Sequence, residues 1–301
     1  MSASEGGALV GIRFALLAGV IFAVQDASSR HLAESYPVPF FTMVRYWFFM
    51  VFVLALAARR PGGLRAAART RMPLLQILRG VLLATQIIVL VSSFDMIGLG
   101  TTHAIFSLHP LLATLLAVPL LGETVGWRRF LAVGAGFLGV LLILRPETGG
   151  AGSGFMPATG TLLALLAAVM ISFYTVLTRL ASRADGSAGP AFFYTGVAGA
   201  ITLTLIGPWF WVEIAGVDLV WLLALCIAGM SGHYCLIRAL DATEAVRVQP
   251  FIYLQMVFGV IVGHLVFGEA IDGLAILGMA IIIGAGLYAI RREYLAGQSS
   301  G

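Results

Sequence analysis

Five runs of almost unbroken apolar sequence in the first half of the chain are answered by five in the second, so most of its length is expected to lie inside a lipid bilayer. A membrane-spanning helix needs about 20 predominantly apolar residues. Runs of that kind lie near residues 9–29, 38–58, 74–96, 101–120, 127–144, 157–178, 190–210, 218–239, 245–267 and 273–290. The expectation is an all-α membrane protein of ten transmembrane helices, with short loops and no extramembrane domain.

Composition narrows the class further. With 60% hydrophobic and 11% charged residues and a mean hydropathy of +0.99, a soluble domain and a disordered chain are both excluded. The apolar runs are continuous, without the ten-residue alternation of an outer-membrane barrel. The first span is not followed by a small-residue cleavage site and a polar mature segment, so a cleaved signal peptide is not expected. Cys226 and Cys235 stand nine residues apart in the eighth span, on opposite helix faces, and no disulfide, metal site or cofactor is expected.

The net charge of +4 comes from eighteen arginines and no lysine. They gather at span ends and form no basic domain, so they read as topology signals and no nucleic-acid partner is expected. Arg59, Arg60, Arg65, Arg69 and Arg71, then Arg128 and Arg129, Arg183, and Arg291 and Arg292 all fall on one side of a ten-span chain. The opposite side carries Arg145, with Arg30 near a span end. The positive-inside rule therefore predicts an inner-membrane protein with both termini cytoplasmic.

The two halves are homologous at a constant register. The segment from Asp95 to Leu142 lies on Asp241 to Tyr288 with an offset of 146, pairing His103 with Gln249, Ser107 with Tyr253, His109 with Gln255 and Gly122-Glu123 with Gly268-Glu269. Nearer the start of each half, Arg30 meets Arg179 at an offset of 149. Five spans per half is an odd number, so the second half enters the membrane the opposite way. Residues 1–148 and 149–301 are thus expected to form two inverted five-helix repeats, the arrangement of many secondary carriers, with a site between the halves.

Polar groups inside hydrocarbon are costly and usually face a bundle interior or an aqueous cavity. Asp26 and Arg30 are four residues apart in the first span and close enough to pair. Asp26 has no acidic counterpart, because its register partner is Thr175. Arg45 lies about two turns inside the second span. Arg79 belongs to a stripe of Gln76, Arg79, Gln86 and Ser93 on one face of the third. His103, Ser107 and Pro110 share a face of the fourth span, and Gln249, Tyr253 and Met256 the matching face of the ninth. His109 and Gln255 lie on another face. Pro110 and Pro250 each remove a backbone donor and favour a kink. Phe22, Phe106, Phe173, Tyr174, Tyr234 and Phe251 are candidate walls for a planar or cationic ligand. The candidate substrate-binding set is Asp26, Arg45, Arg79, Gln86, His103, Ser107, Tyr174, Tyr234, Gln249, Tyr253 and Gln255. Glu123 and Glu269 are expected to cap the helices that follow them.

Two motif matches are discounted. Gly134, Gly136 and Gly139 have dinucleotide-binding spacing but no preceding strand. Gly229-Met230-Ser231-Gly232 matches the serine motif of rhomboid-type intramembrane proteases, which a duplicated ten-span chain does not otherwise resemble. A channel is a further reading, although the chain contains no asparagine and so no aquaporin-type signature.

These residues together resemble the drug/metabolite transporter superfamily, EamA type. The resemblance rests on Asp26-Ala-Ser-Ser-Arg30, Arg45 in an aromatic second span, Leu78-Arg79-Gly80, Pro110 thirteen residues before Glu123, and Leu240-Asp-Ala-Thr243 followed by Pro250-Phe-Ile-Tyr-Leu-Gln255. The last string looks like the subgroup containing carriers for S-adenosylmethionine and for riboflavin. The resemblance implies a secondary active transporter that moves a small organic metabolite by alternating access without ATP hydrolysis. It leaves open a zwitterion or a planar vitamin or drug as substrate, the direction, and a monomer or homodimer. The second half departs from the pattern in carrying Met256 where the first has Pro110.

Overall fold

The computed structural model describes residues 3–122, 131, 134–139, 142, 155–185, 189–242, 245–270 and 273–298. The side chains of several helical residues, Gln249 and Tyr253 among them, lie outside the described set. The elements are α1 (Ala3–Ala33), α2 (Val38–Ala58), α3 (Gly63–Ala67), α4 (Pro73–Ile97), α5 (Leu99–Phe106), α6 (His109–Leu121), α7 (Phe155–Asp185), α8 (Gly189–Ile206), a short 3-10 turn (Gly207–Phe210), α9 (Asp218–Ala242), α10 (Ala245–Phe267) and α11 (Gly273–Gln298). No strand occurs among the described residues.

Seven described stretches are long and apolar enough to cross a membrane: Val10–Ala33, Val38–Ala58, Pro73–Ile97, Leu99–Leu121, Ala158–Asp185, Gly189–Phe210 and Asp218–Leu236. Val257–Phe267 and Ile276–Tyr288 are shorter apolar helices. Most of the expected span at 127–144 lies outside the described residues, although 134–139 are helical.

Local chemistry sets the helix ends. Proline opens α2 and α4, where its missing N–H costs nothing. Gly98, with φ of 81°, separates α4 from α5, and Gly122 and Gly268, at 66° and 64°, close α6 and α10. The fourth span is interrupted at Ser107-Leu108, with Pro110 in the first turn of the new helix α6.

The halves interlock instead of packing side by side. Helix α1 runs along α9 and α10, α4 along α7 and α8, α2 against α8 and α9, and α5 against α10. In lipid such contacts depend on close packing, because the surrounding tails are as apolar as the helices. Gly80 permits the α4–α8 approach: a Cβ there would lie 2.7 Å from Ala198 Cβ and 2.8 Å from the Tyr194 carbonyl oxygen. The largest core cluster joins Phe40, Phe41, Met43, Tyr46 and Phe94 to Leu203 and Leu225 of the second half.

Two polar joints tie helix ends across the halves. Where α1 ends, the Tyr36 hydroxyl donates to Asp218 Oδ2 at 2.7 Å, and His31 Nε2 lies 2.9 Å from Asp218 Oδ1. Where α7 ends, Asp185 accepts from Thr70 Oγ1 at 2.7 Å, the Arg71 amide at 2.7 Å and Gln76 Nε2 at 2.9 Å. The 149-residue shift that aligns Arg30 with Arg179 also aligns Tyr36 with Asp185. The α1–α9 joint and the α7–α4 joint are therefore equivalent positions of the repeat.

Candidate functional site: a polar cavity between the halves

A cavity of about 270 Å³ lies among α1, α2, α4, α5, α6, α7, α9 and α10, and so draws on both halves. Phe22, Phe106, Leu83, Ile87, Leu90 and Ile171 supply apolar wall. Its charged lining is sparse: Asp26 from α1 and Arg45 from α2, with the imidazoles of His103, His109 and His233.

Asp26 does not pair with Arg30, contrary to the expectation from their spacing. Its Oδ2 lies 3.2 Å from His103 Nε2 and accepts from Gln255 Nε2 at 3.1 Å, while Oδ1 accepts from Gln25 Nε2 at 3.3 Å. Arg30 reaches Glu34 at 2.9 Å, Asp95 at 3.5 Å and Glu269 at 3.5 Å. The four-residue spacing permits a pair, but three carboxylates near its reach hold the long guanidinium at the rim while the short aspartate faces the bundle interior.

Glu269 also departs from its expected role. It accepts the amide hydrogens of Leu99 at 2.7 Å and Gly100 at 2.9 Å, capping α5 of the first half, and among the described residues it makes no bond to the helix that follows it. Gly268 turns the chain so that the carboxylate meets the free amides at the start of α5, where the helix dipole favours an anion. Glu123 lies outside the described residues.

Arg45 is 6% exposed, and among the described residues its guanidinium makes no hydrogen bond or ion pair. Asp26 lines the same cavity but stands beyond ion-pair distance. A buried charge without a partner is expensive. Arg45 lines the cavity, so a ligand there can reach its guanidinium. Gln25 Oε1, Gln86 Nε2 and both ring nitrogens of His103 are buried without a hydrogen-bond partner.

Asp26, Arg45, Gln86, His103 and Gln255 of the candidate set line this cavity; Arg79, Ser107, Tyr174 and Tyr234 do not. Arg79 is saturated elsewhere: it donates to Thr178 Oγ1 at 2.9 Å, to the Ala191 carbonyl at 3.1 Å and to Thr195 Oγ1 at 3.1 Å, with its guanidinium 4.8 Å from the Tyr174 ring centroid. It clamps α4 to α7 and α8, and Tyr174 belongs to that clamp. Ser107 donates to the Ala104 carbonyl at 2.6 Å. Tyr234 is 38% exposed and meets Phe52 edge-on, away from the cavity. The side chains of Gln249 and Tyr253 lie outside the described residues.

The sequence-based set omitted Gln25, His109, Thr175 and His233, which also line the cavity. The repeat carried a usable signal for two of them. Phe22 and Ile171, Asp26 and Thr175, and His109 and Gln255 are register partners, and all six line the cavity. Gln25 had only its position beside Asp26 to mark it.

The rhomboid-like motif builds no nucleophile. Ser231 Oγ donates to the Ile227 carbonyl at 2.6 Å, and His233 Nδ1 lies 2.8 Å from the Gly229 carbonyl oxygen. Each is engaged by its own helix.

An interlocked, all-helical, duplicated bundle around a small cavity with few charges is the architecture of a membrane transporter. The description of the EamA-like transporter family matches residues 9–145 and again 158–291, and the chain belongs to that family. Among its relatives, the S-adenosylmethionine uptake transporter of Rickettsia prowazekii (strain Madrid E) is 25% identical, covering 95% of this chain and 94% of the relative. The riboflavin transporter of Rhizobium johnstonii is 28% identical, covering 95% and 92%. The pseudopaline exporter CntI of Pseudomonas aeruginosa is 24% identical, covering 91% and 93%. One solved crystal structure shares the fold at a TM-score of 0.64 with 19% identity, covering 96% of this chain and 99% of its own. The protein is a multi-pass membrane transporter of small molecules.

Proposed function

We propose that this protein is a secondary active carrier of the inner membrane that moves a zwitterionic organic metabolite, in the manner of S-adenosylmethionine or an amino acid, by alternating access. Ten helices in two inverted five-helix repeats, 1–148 and 149–301, rock about the cavity, with both termini and the 59–71 loop cytoplasmic. The helix contacts support the inverted relation. Exchanging the halves turns the α1–α9 contact into α7–α4 and leaves α2–α8 unchanged, and all of these contacts occur.

The observation that carries the substrate reading is the Arg45 guanidinium, buried in the cavity without a partner. It suits a carboxylate, which it can hold through two parallel hydrogen bonds. Asp26 and the free Gln25 Oε1 suit an ammonium, while Gln86, His103 and Gln255 contact the polar remainder. A planar vitamin such as riboflavin is the second reading, favoured by Phe22 and Phe106 in the cavity wall.

Uptake of labelled S-adenosylmethionine into proteoliposomes, with amino acids and riboflavin as competitors, tests the two. Zwitterions should compete in wild type and lose at least about tenfold in apparent affinity in Arg45→Gln, as expected for a lost hydrogen bond to a charged group. Competition by riboflavin alone, or an unchanged zwitterion affinity in folded Arg45→Gln, refutes the zwitterion reading.

A further inference from the structure

The charged groups of two cavities are answered differently. An outer cavity of about 340 Å³, lined by Arg30, Thr101, His264 and Glu269 among others, lies nearer the end of α1. There Arg30 reaches three carboxylates, and both oxygens of Glu269 take amides that open α5. The inner cavity between the halves keeps a cation and neutral acceptors unanswered in one corner. Arg45 Nε and Gln25 Oε1 both lie within 3.3 Å of the position a Cβ at Gly229 would take. His233, one turn further along α9, lines the same cavity.

We propose that this corner recognises a primary ammonium through its hydrogens, and that His233 is a specificity-determining residue which, with Gln25, rejects N-methylated zwitterions; the proposal rests on the zwitterion reading above and sharpens it. The ligand is a free amino acid or a metabolite with an unmethylated amino-acid head. Two acceptors of set orientation carry this. Gln25 Nε2 donates to Asp26 Oδ1 at 3.3 Å. A carboxylate accepts only, so the amide nitrogen faces it and Oε1 is turned away. That oxygen is buried without a partner.

His233 is set in the same way. Its Nδ1 lies 2.8 Å from the Gly229 carbonyl oxygen, which can only accept, so Nδ1 carries the hydrogen and Nε2 of the neutral ring is an acceptor. Among the described residues nothing donates to Nε2. The ring is half-buried and packs against both Phe22 and Phe49, 5.2 Å from each between centroids. Those contacts also disfavour a quaternary ammonium. Open aromatic faces bind such a group, whereas Phe22 and Phe49 are engaged by His233, and Phe106 by His109 at 4.8 Å.

The ligand's head group follows from these positions. The carboxylate and ammonium of an α-amino acid share one carbon, so the two can meet the Arg45 fork and Gln25 Oε1 at once through hydrogen bonds of about 2.9 Å. An ammonium with three hydrogens can use Gln25 Oε1, His233 Nε2 and an Asp26 oxygen. Each methyl group removes one of them. A dimethylated ammonium keeps its charge and one hydrogen, enough for Asp26 alone, and leaves both neutral acceptors against carbon. The register partner of His233 is Ala84 and that of Gln25 is Tyr174. Scaffold symmetry therefore accounts for neither acceptor.

The test uses the full chain in detergent, with S-adenosylmethionine, methionine and phenylalanine each compared with its N,N-dimethyl form. Dissociation constants come from thermal shifts, because a ligand bound only to the folded state raises apparent stability. In wild type the dimethyl form of whichever probe binds should be weaker by at least about thirtyfold, as expected for two buried acceptors left unpaired. In His233→Phe that ratio should narrow by at least about fivefold, through weaker binding of the unmethylated form, and His233→Gln, which keeps an acceptor, should restore most of it. Phenylalanine is no smaller than histidine, so a purely steric filter would keep or widen the ratio. A wild-type ratio near one, or a ratio kept or widened in folded His233→Phe, overturns the proposal and leaves the zwitterion reading standing. If His233→Phe does not fold, Gln25→Met decides by the same ratio, with narrowing expected and an unchanged ratio overturning. If none of the three unmethylated probes shifts the wild-type transition, the zwitterion reading falls and this proposal with it.

Discussion

Gly229 of α9 makes the room in which Arg45 of α2 lies: a Cβ at position 229 would stand 2.8 Å from Arg45 Nε and 3.3 Å from Gln25 Oε1. The register partner of Gly229 is Gly80, and that of Arg45 is Tyr194, whose carbonyl Gly80 accommodates. The same small residue thus serves backbone packing in one half and holds a charged side chain in the other.

Gly229→Ala is expected to push the guanidinium off its position while leaving the bundle assembled. Apparent affinity for a zwitterionic substrate should drop by about tenfold to a hundredfold, the range for hydrogen bonds to a charged group, with the thermal transition in detergent shifted only slightly. Uptake competition beside a melting curve checks both parts.

Arg79→Gln should behave in the opposite way. Its loss removes the charged donor that ties Thr178 of α7 to Thr195 and the Ala191 carbonyl of α8, and although both threonines keep bonds to their own helices, hydrogen bonds to a charged group are each worth about 1.5 to 3 kcal/mol. The expected outcome is a clear fall in unfolding temperature with the order of competing substrates unchanged. A changed substrate order with wild-type stability would return Arg79 to the binding site.

Glu269→Gln weakens the cap on α5 and removes one of the three carboxylates around Arg30. The outer wall should open more often. A cysteine introduced at Thr101, in protein whose Cys226 and Cys235 are replaced by alanine, should react several times faster with a hydrophilic thiol reagent in the Glu269→Gln background. Equal rates would show that the cap does not limit access.

Topology is tested by cysteines at Arg65 and Gly297. Both should resist an impermeant thiol reagent in intact cells and react after permeabilisation, as the lopsided arginine count requires. Labelling of either in intact cells reverses the orientation.

Helix positions are legible in this sequence because hydrocarbon demands long apolar runs, and glycine and proline punctuate them. Which polar group answers which is far less legible. Arg45 and Arg79 look alike locally, each an arginine inside a span. The groups that saturate Arg79 are supplied by α7 and α8, about 100 residues away, and nothing near Arg45 reveals that it lacks such partners. Asp26 and Arg30 have ideal spacing for a pair, yet tertiary contacts from α5, α10 and the α10–α11 loop separate their partners. The repeat register was the better guide, since it relates positions by fold and not by local chemistry: His109 and Gln255 line the cavity together.

The cap on α5 also sets an order of events during biogenesis. The Leu99 amide is satisfied by a carboxylate 170 residues further along the chain. While the ribosome is still making the second half, the first half sits in the membrane with that helix end open, and neither repeat is finished until the loop carrying Glu269 has been delivered to the other. The two halves of this transporter therefore mature as one unit, and a newly inserted first half should be a short-lived species that quality-control proteases recognise.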